Sequence, residues 1–218
     1  MKKHLIPCCL MVLLSLSSCT SSSTEASLFP TEDGISPVTL SERETQIINL
    51  LDKGNSAFLS IKAPKEAQRL QILLRTLKED GTWDITQTNN DMFWGEYSSG
   101  VQLLEGVFSL IRNDDYSIAM RFENKNGVTQ FLNDIPAPQL SYVPKSGSSS
   151  FLWSFQSIEL DKEIPIAILA LNQNNRITPP SLRDYYDTSK LADYDFVQVV
   201  TFTFTSDIIE ETNQIQGG

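Results

Sequence analysis

Histidine and cysteine are nearly missing from this 218-residue chain, and both are confined to its first nineteen residues. The single histidine is His4, and the three cysteines are Cys8, Cys9 and Cys19. A body without imidazole has no Ser-His-Asp or Cys-His catalysis and no histidine-ligated zinc or non-haem iron. A body without thiols has no disulfide, no thiolate zinc site, no iron–sulfur cluster and no redox pair. Its stability must come from a packed core, which a domain of this length can supply. Phosphate-binding glycine loops, the dinucleotide fingerprint, the GxSxG elbow and the EF-hand loop are absent as well. Positive charge is scarce: 17 Lys and Arg stand against 27 Asp and Glu, a net charge of −10. An acidic body repels phosphate backbones, which argues against nucleic acid as a partner, and it repels anionic lipid surfaces too. What survives these exclusions is carboxylate chemistry, metals held by oxygen ligands, or binding without catalysis.

Long apolar runs are also rare, and the one that stands out opens the chain. Lys2 and Lys3 precede an almost unbroken apolar stretch from Leu5 to Leu16. A dozen residues fall short of the roughly 20 that a membrane-spanning helix needs, and the order of charge, apolar run and small residues is that of a secretory signal. The run closes on Leu16-Ser17-Ser18-Cys19. That tetrapeptide resembles the lipobox of bacterial lipoproteins. The resemblance implies a signal peptide over residues 1–18, cleavage before Cys19, a diacylglyceryl thioether on the Cys19 sulfur and a further acyl chain, such as palmitate, on its amino group. Two or more chains make anchoring stable, since each buried CH₂ contributes about 0.8 kcal/mol. It further implies a protein on the extracytoplasmic side. Thr20 in place of Asp implies the outer membrane where the bacterium has two, and otherwise the cell surface. Removing Lys2 and Lys3 takes the 17 basic residues to 15 against the same 27 acidic ones, or −12.

Residues 19–38 are rich in Ser, Thr, Pro and acid, and read as a lipidated tether with a mean reach of about 24 Å. Residues 207–218 read as a polar tail. Between them, residues 39–206 carry the marks of one domain. Ser41 and Glu44 form a capping box for a helix whose apolar face is Ile47, Ile48 and Leu51, stopped at Gly54. The period then changes to two. Residues 64–78 suit a helix or a strand; the Asp80-Gly81 turn and the alternation beyond it favour a hairpin. Gly106 marks a candidate bulge, Asn113-Asp114 and Asn126-Gly127 mark turns, and Pro136–Ser150 reads as a loop. Phe151, Trp153 and Phe155 read as the start of a strand. Ile164–Leu171 is apolar on both faces and should be covered on both sides. Ser181–Tyr194 looks helical or irregular, and Phe196–Thr205 alternates cleanly. Some eight short strands with frequent turns predict a mainly β fold, an antiparallel sandwich of immunoglobulin-like or jelly-roll-like type with one N-terminal helix and a short helical connection before the last strand.

Three groups of residues are candidates for function. Phe93, Trp94 and Tyr97 follow the loop-like Asn89-Asn90-Asp91, and exposed aromatics of this kind stack on the apolar faces of sugars, which would make a glycan-binding surface. Trp83 and Trp153 read instead as core. Asp184, Asp187, Asp193 and Asp195 supply carboxylates of the kind calcium takes at about 2.3–2.6 Å, although their spacing matches no known calcium loop. A carboxylate pair for glycoside hydrolysis is possible in so acidic a chain, but sequence gives no way to choose one. Tyr185-Tyr186 beside Arg183 could likewise form a ligand lip, although packing of the last connection against the sheet is the stronger reading. The balance favours a lipid-anchored, non-enzymatic binding module whose partner is a glycan or an envelope protein. The alternatives are a carboxylate-based hydrolase and a structural subunit of an envelope assembly.

Overall fold

The period of two carries through to the structure. The computed structural model describes residues 29–52, 55–93, 104–175 and 178–206. In chain order these form β1 (Gly34–Pro37), α1 (Glu42–Asp52), β2 (Ser56–Lys62), β3 (Arg69–Leu77), β4 (Trp83–Phe93), β5 (Glu105–Arg112), β6 (Ile118–Asn124) and β7 (Thr129–Phe131). They continue as β8 (Ser146–Phe151), β9 (Gln156–Ser157), β10 (Glu163–Asn172), two 3₁₀ turns (Leu182–Tyr186 and Thr188–Leu191) and β11 (Phe196–Thr205). Every strand pairing is antiparallel. One sheet runs β7-β6-β5-β2-β1-β9 and the other β4-β3-β11-β10-β8. The two make a β-sandwich.

Alternate residues of both sheets fill the space between them. Leu59, Ile61, Phe108, Leu110, Met120 and Phe122 come from the six-stranded sheet, and Leu70, Ile72, Ile164, Ile166, Phe202 and Phe204 from the five-stranded one. Phe108 meets Phe202 edge-on across the gap, with ring centroids 4.9 Å apart. Such a pair adds about 0.5–1.5 kcal/mol beyond the area it buries.

The five-stranded sheet has a second apolar face. In β10 the register shifts between Pro165 and Ala167. The extra residue reverses the alternation, so Ile164, Ile166 and Ala167 pack into the sandwich while Ile168 and Ala170 join a cluster on the outer side. Val197 and Val199 of β11 lie in that outer cluster, and Leu182 and Leu191 of the 3₁₀ turns cover it. The run from Ile164 to Leu171 is thus buried on both sides, as its composition requires.

The hairpin reading of residues 64–78 holds. Pro64 and Ala67 make a turn, and β3 returns as β4 through Asp80-Gly81. Gly81 takes φ 79° there, a left-handed conformation that costs glycine nothing, while the Asp80 carboxylate accepts from the Thr82 N–H at 2.9 Å and hydroxyl at 2.6 Å. Gly106 is not a bulge. It pairs regularly with Ile61 and Asn124, and a Cβ there would lie 2.5 Å from the Phe122 ring. The glycine is needed for close approach. The expected tether is shorter than residues 19–38, because Gly34–Pro37 form β1 with Ile35 fully buried; the rest of that segment up to residue 28 lies outside the described residues, as does the tail from 207.

Helix α1 forms on its cap. The Ser41 N–H donates to Glu44 Oε2 at 2.7 Å, and the Glu44 N–H returns to Ser41 Oγ at 3.3 Å. Its apolar side chains find little to bury against: Ile47 is 49% and Leu50 is 85% exposed. The helix is an appendage to the sandwich rather than part of its core. Phe202→Ala should therefore cost about 3–5 kcal/mol, whereas Leu50→Lys should stay within about 0.5 kcal/mol of wild type. Denaturant midpoints of the two variants check this, and equal losses would place the helix in the core.

Candidate functional site

Glu163 begins β10 with its side chain on the outer face of the five-stranded sheet, partly buried beneath the connection that precedes β11. Three donors converge on its carboxylate. Arg75 of β3 donates Nε–H to Oε1 at 2.5 Å, Thr201 of β11 donates its hydroxyl to Oε1 at 2.6 Å, and the Tyr185 hydroxyl donates to Oε2 at 2.7 Å. The Arg75 and Glu163 side chains are only 19% and 22% exposed. Burial alone would raise the carboxyl, but the bonds from Arg75, Thr201 and Tyr185 outweigh it and hold Glu163 below the usual carboxylate range. Burial and the hydrogen bond to Glu163 push the Tyr185 hydroxyl far above its ordinary value, so it stays a donor.

Tyr185 belongs to the first 3₁₀ turn, so this network fastens the connection to the sheet. The turn opens with its own capping box, in which Ser181 Oγ accepts from the Arg183 N–H at 3.3 Å and the Asp184 carboxylate accepts from the Ser181 N–H at 2.8 Å. Trp83 stacks on the Tyr185 ring at 5.1 Å and donates its indole N–H to the Tyr185 carbonyl at 3.1 Å. Tyr186 then meets Tyr185 edge-on, also at 5.1 Å. Three rings run from the sheet outward, the inner two half-buried and Tyr186 69% exposed.

Across from Tyr186 lies the segment between β8 and β9. The expectation of a strand starting at Phe151 is overturned: Phe151 ends β8, and Trp153 stands 76% exposed in the connection. The reading of Trp153 as core fails with it, while Trp83 does pack, in the outer cluster. The reason lies in β10. The β8 ladder stops opposite Ala167, at the bulge beside Pro165, which has no N–H to offer. Leu152, Trp153, Ser154, Gln156, Arg183 and Tyr186 line the resulting cleft of about 110 Å³, floored by Ile164 and Pro165. A drug-sized ligand needs roughly 300–1,000 Å³, so this cleft seats one ring and leaves the rest of a ligand on the surface.

The four aspartates singled out from sequence surround the same connection on its far side. Asp184 and Asp193, with Asn172, Thr178, Lys190 and Tyr194, line a wider polar cleft of about 550 Å³. Burial, then the charges of Asp184 and Asp193, raise the Tyr194 hydroxyl above its ordinary value. Three of these acids already have structural work. Asp184 closes the cap, Asp187 takes the Ser189 hydroxyl at 2.6 Å and the Lys190 ammonium at 3.4 Å, and Asp195 takes the Gln173 N–H at 2.7 Å. Among the described residues, no three acidic, histidine or cysteine side chains gather closely enough to hold a metal ion. Phe93 is the last residue of β4, opposite Arg69; its side chain, Trp94, Tyr97 and Cys19 lie outside the described residues. No described helix is long and apolar enough to cross a membrane.

Several other carboxylates are held below their usual range. Hydrogen bonds do this to Glu44 from Ser41, to Asp80 from Thr82, to Asp115 from Ser117 and to Asp187 from Ser189. These are structural acids, tied to caps and turns. Against known proteins the chain stands alone: no family model, curated protein or solved structure matches it.

Because the folded Glu163 carboxyl is more acidic than in the unfolded chain, its contribution is present above the ordinary value of 4.5 and is lost as pH falls through the lower folded value. Glu163→Gln should cost about 2 kcal/mol at pH 7, a midpoint lower by roughly 4–8 °C. The gap from wild type should narrow as pH is taken from 7 to 3. Thermal melts of both proteins across that range check the sign; a gap that stays constant would mean the charge is not what matters.

Proposed function

We propose that this chain is a lipid-anchored protein of the bacterial cell envelope, tethered through Cys19 on the extracytoplasmic side, whose β-sandwich is a non-enzymatic binding module for glycans. The observation that carries the reading is the pair of exposed rings, Trp153 and Tyr186, on one cleft beside a loop. Large aromatics cost free energy in water and are usually buried. Here the fold holds Tyr186 from behind through Tyr185 and leaves its outer side open. An aromatic wall ringed by the polar side chains of Ser154, Gln156 and Arg183 suits a sugar, which has an apolar face and a hydroxylated rim. Lipid on Cys19 supplies the membrane link that the acidic body cannot make by charge.

A carboxylate-based glycoside hydrolase is the second reading. Asp184 and Asp193 on one wall of the polar cleft favour it, and calcium held by oxygen ligands would sit on that side too. The engagement of Asp184 in the cap counts against both. Product release from a glycan panel by the purified chain, abolished in Asp193→Asn, would move the assignment to this reading.

The binding reading is tested by thermal unfolding of the purified full-length chain against envelope and plant glycans, with calcium and chelator as controls. A ligand at 100 times its Kd should stabilise by about 2.7 kcal/mol and raise the midpoint by about 5–10 °C. Trp153→Ala should abolish the shift yet leave the unliganded midpoint within about 0.5 kcal/mol of wild type, since the side chain is exposed. A shift that survives this change would put the glycan elsewhere. For the anchor, Cys19→Ser should leave the protein unprocessed or free in soluble fractions; a lipid-labelled, membrane-bound variant would sink that assignment.

A further inference from the structure

Resting on the glycan-binding reading, we infer that the aromatic cleft selects acidic saccharides, with Arg183 as the group that recognises a sugar carboxylate. Arg183 lies in the first 3₁₀ turn between Leu182, which is buried, and Asp184, whose carboxylate is held by the Ser181 cap. Its backbone is therefore fixed at the rim of the cleft while its side chain is exposed. Elsewhere the acidic surface engages Lys62, Lys65, Arg75, Lys125, Lys162 and Lys190, each of which pairs with an Asp or Glu. Arg183 forms no ion pair among the described residues. A guanidinium without an ion pair, beside two exposed rings in a chain of net charge −10, is a group left open to an anion.

The chemistry of the ligand follows from that arrangement. A guanidinium presents a planar fork that matches a carboxylate bidentately. The rings ask for a flat apolar face within reach of the anion, and a cleft of about 110 Å³ admits one such ring. A uronic acid or a sugar ether of a hydroxy acid has both features on one pyranose. A dianionic phosphate fits less well, because the other described basic residue of the connection, Lys190, is engaged by Asp187.

Calorimetric titration of the full-length chain in detergent, with a matched pair of oligosaccharides, tests the inference. The probes are cellotetraose and its C6-oxidised form, tetraglucuronate, with a sulfated cello-oligosaccharide as control. Tetraglucuronate should bind about tenfold tighter at low salt, the equivalent of one charge-assisted contact, and the preference should shrink as salt is raised. Arg183→Gln should bring the two affinities together; Arg183→Lys should restore part of the preference; Trp153→Ala should weaken both. Equal binding of both sugars to wild type would overturn the inference and leave the glycan reading standing, as would a preference that survives Arg183→Gln. Tighter binding of the sulfated probe would overturn carboxylate selection. Binding of none of the three would overturn the inference together with the reading it rests on.

Discussion

A partly buried carboxylate must be satisfied where it stands, and the way Glu163 is satisfied shapes the outer layer of this molecule. Arg75 reaches it along β3, Thr201 along β11, and Tyr185 comes down onto it from the connection before the last strand. Leaving any of these groups unpaired in so dry a setting costs more than the bond itself contributes. The connection is thus pinned at one point by charge and hydrogen bonds, and at two others by the burial of Leu182 and Leu191. Further bonds set its ends: the Ser150 hydroxyl donates to the Pro180 carbonyl at 2.6 Å and the Thr188 hydroxyl to the Gly81 carbonyl at 2.9 Å. A segment with almost no regular helix is held as firmly as a strand.

The need for that cover arises in β10. An antiparallel strand facing solvent on one side alternates apolar with polar residues, and β10 does not. Its bulge beside Pro165 sends Ile166 and Ala167 into the sandwich and turns Ile168 and Ala170 outward. Val197 and Val199 enlarge the outward apolar patch, so water must be kept off it. The same bulge ends the pairing with β8, releases the chain after Leu152, whose N–H still donates to the Ile166 carbonyl at 2.9 Å, and leaves Trp153 beside the connection that the patch demanded. One irregularity in one strand produces both the cover and the opposite wall of the cleft.

Much of this was legible in the sequence where the signal is local. Asp80-Gly81 and Asn126-Gly127 are turns because their chemistry allows little else, and Ser41 with Glu44 caps a helix for the same reason. Phe202 and Phe204 alternate with threonines and point inward as that period requires. What sequence missed depends on partners distant along the chain. Ser146–Ser150 reads as loop by composition, yet its backbone is recruited as β8 by β10. Phe151, Trp153 and Phe155 alternate like a strand but have no strand to pair with beyond Ala167. Gly106 looks like a bulge because nothing in the sequence reveals the Phe122 ring lying over it. The cleft was legible only in part: Tyr185-Tyr186 beside Arg183 reads as a candidate ligand lip, but Trp153, which lines the same cleft, comes from a distant stretch of the chain that no local signal joins to it. The capping box Ser181-x-x-Asp184, a variant of the more familiar Ser-x-x-Glu, is a local signal of this connection's shape that the helical-or-irregular expectation did not use.

On the proposed binding reading, pre-organisation is what would separate this aromatic pair from rings exposed by accident. Ordering a side chain on binding costs about 0.5–1.5 kcal/mol. Tyr186 has met much of that cost in the free protein, since its ring rests edge-on against Tyr185, which is stacked on Trp83 and bonded to Glu163. Arg183 is fixed at its backbone but not at its guanidinium, and Trp153 stands in a connection with little behind it. The rigid wall of the cleft is therefore the one built on the charge network, and the adaptable wall is the one released by the bulge. Such an asymmetry favours a ligand whose flat ring is placed first against Tyr186 and then closed upon by Trp153. Disturbing Glu163 would loosen the rigid wall, so stability of the outer layer and affinity in the cleft are coupled through a single carboxylate.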